Sequence, residues 1–191
     1  MVVGLGNPGA EFEGTRHNVG ADAVALLAGR YGGRLRSEKG LFALACEVRV
    51  GDRRVLLAVP TTFMNDSGLA VAPLVRRAGL RPGEPAERLV VVHDELDLPP
   101  GRVKLKAGGG NAGHNGLKSI DQHLHTRDYL RVRIGIGKPP GRQSGADFVL
   151  RRPGAGERAL LSEAVERAAD AVEAVLADGP ALAMNEVNAA P

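Results

Sequence analysis

Three short runs carry residue types able to move protons or polarise a carbonyl. Thr15-Arg16-His17-Asn18 stands just ahead of apolar residues at helical spacing (Val19, Ala23, Leu26, Leu27), which places His17 near a helix N-terminus. The helix dipole there disfavours a protonated imidazole, and a general base near neutral pH must be neutral. His93-Asp94-Glu95-Leu96-Asp97 closes an apolar run from Arg88 that reads as a buried strand, and α/β proteins place chemistry at such strand ends. A carboxylate there can accept the Nδ1–H of a histidine and fix its tautomer. Alternation along the strand sends His93 and Asp94 to opposite faces, so one of them is expected to reach a site. The third run is the glycine loop 108–113, followed by His114-Asn115-Gly116 and flanked by Lys104, Lys106, Lys118, Arg131 and Arg133. So much glycine suits a backbone that approaches a ligand closely, and the following helix start favours anions. Each run also has a plainer reading: a capping or packing histidine, or a solvated basic face.

Other chemistries lack their residues. Gly4-Leu5-Gly6-Asn7-Pro8-Gly9 spells a dinucleotide fingerprint, but Pro8 removes an amide donor and Gly14 interrupts before any helical pattern. It reads instead as a tight turn presenting Asn7 at the end of the first strand. The glycine loop lacks the lysine and hydroxyl of a P-loop. No G-x-S-x-G elbow occurs, Ser67 is placed to cap a helix, and Cys46 falls within a strand as an inert core residue. Glu95 and Asp97 lack calcium-loop spacing, and His17, Asp94 and His114 match no linear zinc signature. Water is the nucleophile left for an enzyme.

The elements that must position these residues alternate in type. Strands are expected at Met1–Leu5, Arg88–His93, Val103–Lys106 and Leu130–Ile136. A hairpin joins Leu41–Val50, with Phe42, Leu44, Cys46, Val48 and Val50 on one face, to Val55–Val59, where Pro60 breaks the strand. Helices are expected at 19–29, 67–78, 115–124 and 157–177, and the stretches 82–85 and 139–142 read as loops. The pattern predicts an α/β class: a single domain over 1–191, with a twisted mixed β-sheet flanked by helices. The 191 residues are 43% hydrophobic and 25% charged, an ordinary globular composition, with no apolar run near membrane-span length. A single cysteine fits a reducing, cytoplasmic setting. Residues 157–191 hold seven acids against two arginines, so the net +3 hides a strongly basic body rich in arginine, suited to phosphate.

In order along the chain, Val3-Gly4-Leu5-Gly6-Asn7-Pro8-Gly9, Thr15-Arg16-His17-Asn18, Pro60-Thr61-Thr62-Phe63-Met64-Asn65 with Ser67-Gly68, His93-Asp94-Glu95-Leu96-Asp97-Leu98-Pro99, His114-Asn115-Gly116-Leu117 and Arg131-Val132-Arg133-Ile134-Gly135-Ile136-Gly137 together resemble the bacterial-type peptidyl-tRNA hydrolases. The resemblance spans nearly the whole chain. It implies hydrolysis of the ester between a peptide and the terminal ribose of tRNA, without cofactor or metal, by a monomer that meets the acceptor stem and 3′ end and no membrane. By the same resemblance His17 is the general base, Asp94 orients it, and Asn7 separates N-blocked from free aminoacyl-tRNA. Asn65, Asn115, Phe63 and Phe12 would contact substrate, and Lys106 and Arg133 look like the family's clamp for tRNA phosphate. Phe12 stands where the family has tyrosine, Ala112 where it more often has glycine, and the first strand starts unusually early. A non-catalytic RNA-binding protein on the same scaffold is the alternative, against which His17, Asp94 and the three asparagines argue.

Overall fold

The computed structural model describes residues 1–81, 83–84 and 86–190. Its elements run β1 (Val2–Gly4), α1 (Val19–Arg30), β2 (Arg36–Glu38), β3 (Ala43–Val50), β4 (Arg53–Pro60), α2 (Ser67–Arg77) and β5 (Ala86–Glu95). There follow β6 (Val103–Ala107), α3 (Asn115–Leu124), β7 (Tyr129–Gly135), α4 (Gly145–Val149), α5 (Ala155–Asp178) and α6 (Pro180–Ala189). Single 3-10 turns lie at Ala10–Phe12, Arg16–Asn18 and Met64–Asp66. The seven strands form one mixed sheet in the order β2-β3-β4-β1-β5-β7-β6. The central β4, β1, β5 and β7 are parallel, and antiparallel partners complete both edges. The carboxyl ends of the parallel strands therefore share one rim, where Asn7, Thr61–Asn65 and Asp94 emerge.

Val90-Val91-Val92 shows why the middle strand reads as an unbroken apolar run: both of its faces are covered. Val2, Val90, Val92, Val132 and Ile134 pack with Val24 and Leu27 of α1 and Val172 of α5. Val3, Leu5 and Val91 pack on the other side with Val71 and Val75 of α2 and Leu117 and Ile120 of α3. No helix of the described chain is long and apolar enough to cross a membrane.

Several expectations need correcting. Pro60 does not break its strand; it is the last residue of β4 and pairs with Ala43, a strand end where a missing N–H is tolerated. Phe42 precedes β3 with φ 49° and is 60% exposed, so the hairpin face begins only after it. Ser67 does not cap α2: its hydroxyl donates to the Met64 carbonyl at 2.7 Å and closes the preceding 3-10 turn. The loop expected at 82–85 has Pro82 and Pro85 outside the described residues. Three elements lie outside the expectations from sequence: the edge strand β2, the short α4 and the terminal α6. The last is fastened to β6 by Asn188, whose Oδ1 accepts from Leu105 N–H at 2.8 Å while its Nδ2 donates to Leu105 O at 3.0 Å. That clasp blunts an otherwise open sheet edge.

Two close backbone contacts seat the N-terminal end of α1. A Cβ at Gly20 would stand 2.2 Å from Val92 O, and a Cβ at Gly4 would stand 2.2 Å from Gly20 O. Glycine at both positions lets the first turn of α1 rest directly on β1 and β5, which is the use made of the fingerprint-like Gly4. Gly20→Ala should lower stability by roughly 3 kcal/mol, read from the urea midpoint, because backbone on three elements must move. A loss below about 1 kcal/mol would show that α1 lifts off the sheet freely.

Candidate active site

The 3-10 turn Arg16–Asn18 is buried and anchored on both sides. Arg16 forks onto Glu157 at 2.5 and 2.6 Å, donates to the carbonyls of Phe148 and Arg151, and lies 4.1 Å above the Phe148 ring. Asn18 clasps the loop after β1: its Oδ1 accepts from Asn7 N–H and its Nδ2 donates to Asn7 O, both at 2.9 Å. Between these anchors His17 has little freedom, and its Nδ1 lies 2.9 Å from both carboxylate oxygens of Asp94.

Asp94 has a second imidazole, whose role the sequence did not announce. His114 Nε2 lies 2.8 Å from Asp94 Oδ1. On the far side of the same ring, Nδ1 accepts from the amides of Gly116 at 3.1 Å and Leu117 at 3.3 Å, so His114 is the side-chain cap of α3. An imidazole nitrogen that accepts cannot carry a proton, so the His114 proton sits on Nε2 and is donated to Asp94. The capped helix thereby fixes the tautomer, and the anion-friendly helix start is occupied by an imidazole. Asp94 is 2% exposed. Burial alone would raise its carboxyl, but His17 and His114 together outweigh that and hold it well below the usual carboxylate range. With Asp94 ionised, His17 donates through Nδ1–H and keeps its lone pair on Nε2.

His93 lies on the opposite face of β5, as alternation requires, and backs the site rather than entering it. Its ring meets His114 edge-on with centroids 5.0 Å apart, and its Nδ1–H donates to Asp94 O at 2.6 Å. Burial pushes the His93 imidazole down to about 3, so it stays neutral.

His17, Asp94 and His114 place three potential metal-ligating atoms within 4.8 Å of one another. The donor chemistry does not fit a cation. For His114 Nε2 to ligate, its proton would have to move to Nδ1 and confront two amide N–H groups, or be lost altogether.

Two clefts adjoin at His17. One of about 420 Å³ is lined by Asp94, Leu96, Gly113, His114, Asn115 and Val149; the other, about 340 Å³, by Asn7, Phe12, Phe63, Asn65, Asn115 and Leu150. His17 and Asn115 line both. Asn7 Oδ1 accepts from Met64 N–H at 2.7 Å, leaving the amide Nδ2 as its free polar group. Phe12 and Phe63 meet edge-to-face at 6.2 Å, and Phe63 is 56% exposed. Ala112 lines the first cleft with φ 50°, a left-handed conformation that its methyl group tolerates poorly.

Lys106 and Arg133 lie outside both clefts, on the neighbouring strands β6 and β7 and on the sheet face that His93 shares. Arg133 Nε is already engaged with Glu95 Oε2 at 3.0 Å. Lys106 makes no ion pair among the described residues, and its ammonium lies beside Gly109.

A family model described as peptidyl-tRNA hydrolase matches residues 1–191. The peptidyl-tRNA hydrolase of Nocardia farcinica is 52% identical over 188 residues, covering 98% of this chain and 95% of the relative. That of Cutibacterium acnes is 47% identical over 198 residues, covering 98% and 97%. A crystal structure of peptidyl-tRNA hydrolase from Acinetobacter baumannii matches with a TM-score of 0.90 at 37% identity, covering 98% of this chain and 93% of that one. With these matches in sequence and fold over its whole length, the chain belongs to the peptidyl-tRNA hydrolase family.

Proposed function

We propose that the chain cleaves the ester of peptidyl-tRNA with water activated at His17 Nε2. The carrying observation is the Asp94 carboxylate shared by two imidazoles of which only one has an uncommitted nitrogen. Water gives a proton to Nε2 as its oxygen bonds to the ester carbonyl carbon. The ester C–O bond then breaks, and the departing ribose oxygen takes the proton from the imidazolium. Asp94 stabilises the imidazolium, and His114, pinned as a neutral donor, holds Asp94 in place.

The asparagines suit an anionic substrate because they donate without charge. Asn65 and Asn115 border the cleft at His17 and would hydrogen-bond the reacting group as negative charge develops on its carbonyl oxygen. Asn7, with its oxygen held by Met64 N–H, offers an N–H donor. Such a donor suits the first peptide carbonyl of an N-blocked substrate and repels the ammonium of free aminoacyl-tRNA. Phe12 and Phe63 form an apolar wall beside it; Phe12 stacks but brings no hydroxyl. Lys106 and the unengaged nitrogens of Arg133 would meet phosphate of the acceptor stem near the 3′ end. The enzyme would act as a monomer in the cytoplasm, where its substrate is made.

The direct assay is release of labelled N-acetyl-amino acid from N-acetyl-aminoacyl-tRNA in EDTA, with unblocked aminoacyl-tRNA in parallel. Rapid cleavage of the blocked substrate alone is expected. Absence of cleavage with tRNA still bound would leave an RNA-binding protein on this scaffold. His17→Ala should abolish turnover while keeping tRNA affinity, and Asp94→Asn should cost about 10²–10⁴ in kcat by freeing the wrong tautomer. Retained turnover in His17→Ala would remove the base from the scheme.

Replacing Lys106 and Arg133 together by alanine should flatten the logarithmic salt dependence of tRNA binding by up to about two, one for each lost phosphate contact. An unchanged slope would move the phosphate path elsewhere.

Stability should also respond to acid through His93. The unfolded chain protonates this histidine below about pH 6.5, whereas the folded protein resists until about 3. Between those values the unfolded state holds more protons, so stability falls as pH drops, by up to about 1.4 kcal/mol per pH unit. His93→Gln, which keeps a donor for Asp94 O but cannot titrate, should lose that slope in urea melts between pH 7 and 4. An unaltered slope would assign the acid sensitivity to other groups.

A further inference from the structure

The glycine loop turns its carbonyls one way and its amides the other. Arg131, on β7, is 3% exposed. Its NH1 donates to Gly110 O at 2.9 Å, and its NH2 donates to Gly109 O at 2.8 Å and to Gly108 O. Three successive carbonyls thus converge on one guanidinium. The described chain contains no cis peptide bond, and in a planar trans unit the C=O and N–H point in opposite directions. The amides that follow those carbonyls, on Gly109, Gly110 and Asn111, therefore point away from Arg131. Among the described residues none of the three donates to a protein acceptor. The conformation needs glycine at Gly108 (φ 58°) and Gly109 (φ 90°).

We infer that the outward amides of Gly109, Gly110 and Asn111, together with the Lys106 ammonium, form a main-chain binding site for a phosphate of the RNA substrate. Successive free amides make a concave anion receptor, and a phosphate carries enough oxygen acceptors to meet several at once. A Cβ built on Gly109 would lie 3.1 Å from Lys106 Nζ and 3.4 Å from Arg131 NH2, so the ammonium stands beside the loop, next to the guanidinium. Arg131 adds charge from behind, since it meets only carbonyls and no carboxylate within ion-pair distance among the described residues. Two acids lie near. Asp121 is occupied by Asn111 Nδ2, the Tyr129 hydroxyl and Arg127; Asp128 sits by Gly108, at the loop's opening. The adjoining start of α3 cannot compete, because His114 already takes two of its amides. The inference rests on the proposed tRNA substrate and adds the main chain to the side-chain phosphate contacts at Lys106 and Arg133. It also explains the run of glycine: a side chain at Gly109 would crowd Lys106 and strain the turn that exposes the amides.

The test uses the full chain and an acceptor-stem RNA minihelix ending in CCA. In ¹⁵N–¹H spectra the amide protons of Gly109, Gly110 and Asn111 should shift downfield saturably on adding the minihelix. By fluorescence anisotropy Gly110→Pro, which deletes one donor, should bind about tenfold more weakly than Gly110→Ala, which keeps the N–H and places its methyl in open space. Equal affinities of the two variants would overturn the site. If Gly110→Pro fails to fold, the spectra of the unaltered chain decide, and unmoved amides at saturating minihelix overturn it. Shifts with inorganic phosphate but not with the minihelix would also overturn it, marking a receptor for free phosphate. Failure of the unaltered chain to cleave N-acetyl-aminoacyl-tRNA would instead remove the functional reading, whatever the amides do.

Discussion

A buried carboxylate that must stay ionised governs this molecule. Asp94 stands on the central strand with almost no exposure, where an unpaired charge would cost several kcal/mol. Two imidazole donors from different elements, with ring centroids 5.2 Å apart, offset that cost, and much of the fold serves to deliver them. One arrives on the turn before α1, made possible by the glycine contact at Gly4 and Gly20 and held down by Arg16 and Glu157. The other arrives at the end of the glycine loop, where it also caps α3. Removing either would leave a charge that the remaining partner satisfies only in part.

The two histidines touch the same carboxylate yet cannot exchange roles. What separates them is the nitrogen farther from Asp94. In His114 that nitrogen meets two amide donors and must remain an acceptor, so the ring is locked as a neutral donor to Asp94. In His17 the corresponding nitrogen has no protein partner among the described residues, so the ring can take a proton and return it. His17, the proposed base, and His114, which holds Asp94, are thus distinguished by helix capping, an interaction usually credited only with stability.

Much of this was legible in the residues themselves. Unbroken apolar runs and helical periodicity marked the central strands and the long helices, and the strand end at Asp94 marked the rim where chemistry sits. The rest depended on partners distant in sequence. Nothing local tells that His114 caps its own helix toward a carboxylate twenty residues earlier, or that Asn18 clasps Asn7. Arg133 looks like a free cation until β5 places Glu95 beside it. Strand β2, Arg36-Ser37-Glu38, has no apolar residue to mark it, whereas α6 rests Ala183, Met184 and Val187 on the core and clasps Leu105 through Asn188. Phe42 missed its expected face because its own left-handed backbone stands just ahead of the strand.

The charge asymmetry acquires a structural meaning once α1 and α5 are seen together. Several acids of the C-terminal segment hold α1 and its entry. Glu157 secures Arg16 at the entry to that helix, while Glu166, Asp170 and Glu173 surround Arg30 at its exit and Glu173 also accepts from Tyr31. Exposed pairs of this kind are each worth little, but a single arginine shared by three carboxylates resists rotation of the helix as a body. The helix so fixed at both ends is the one that follows His17, so the acidic segment bears on the placement of that side chain. Lys104 and Lys106, which make no such pairs among the described residues, stand on β6 beside Arg133, on the sheet face that His93 shares.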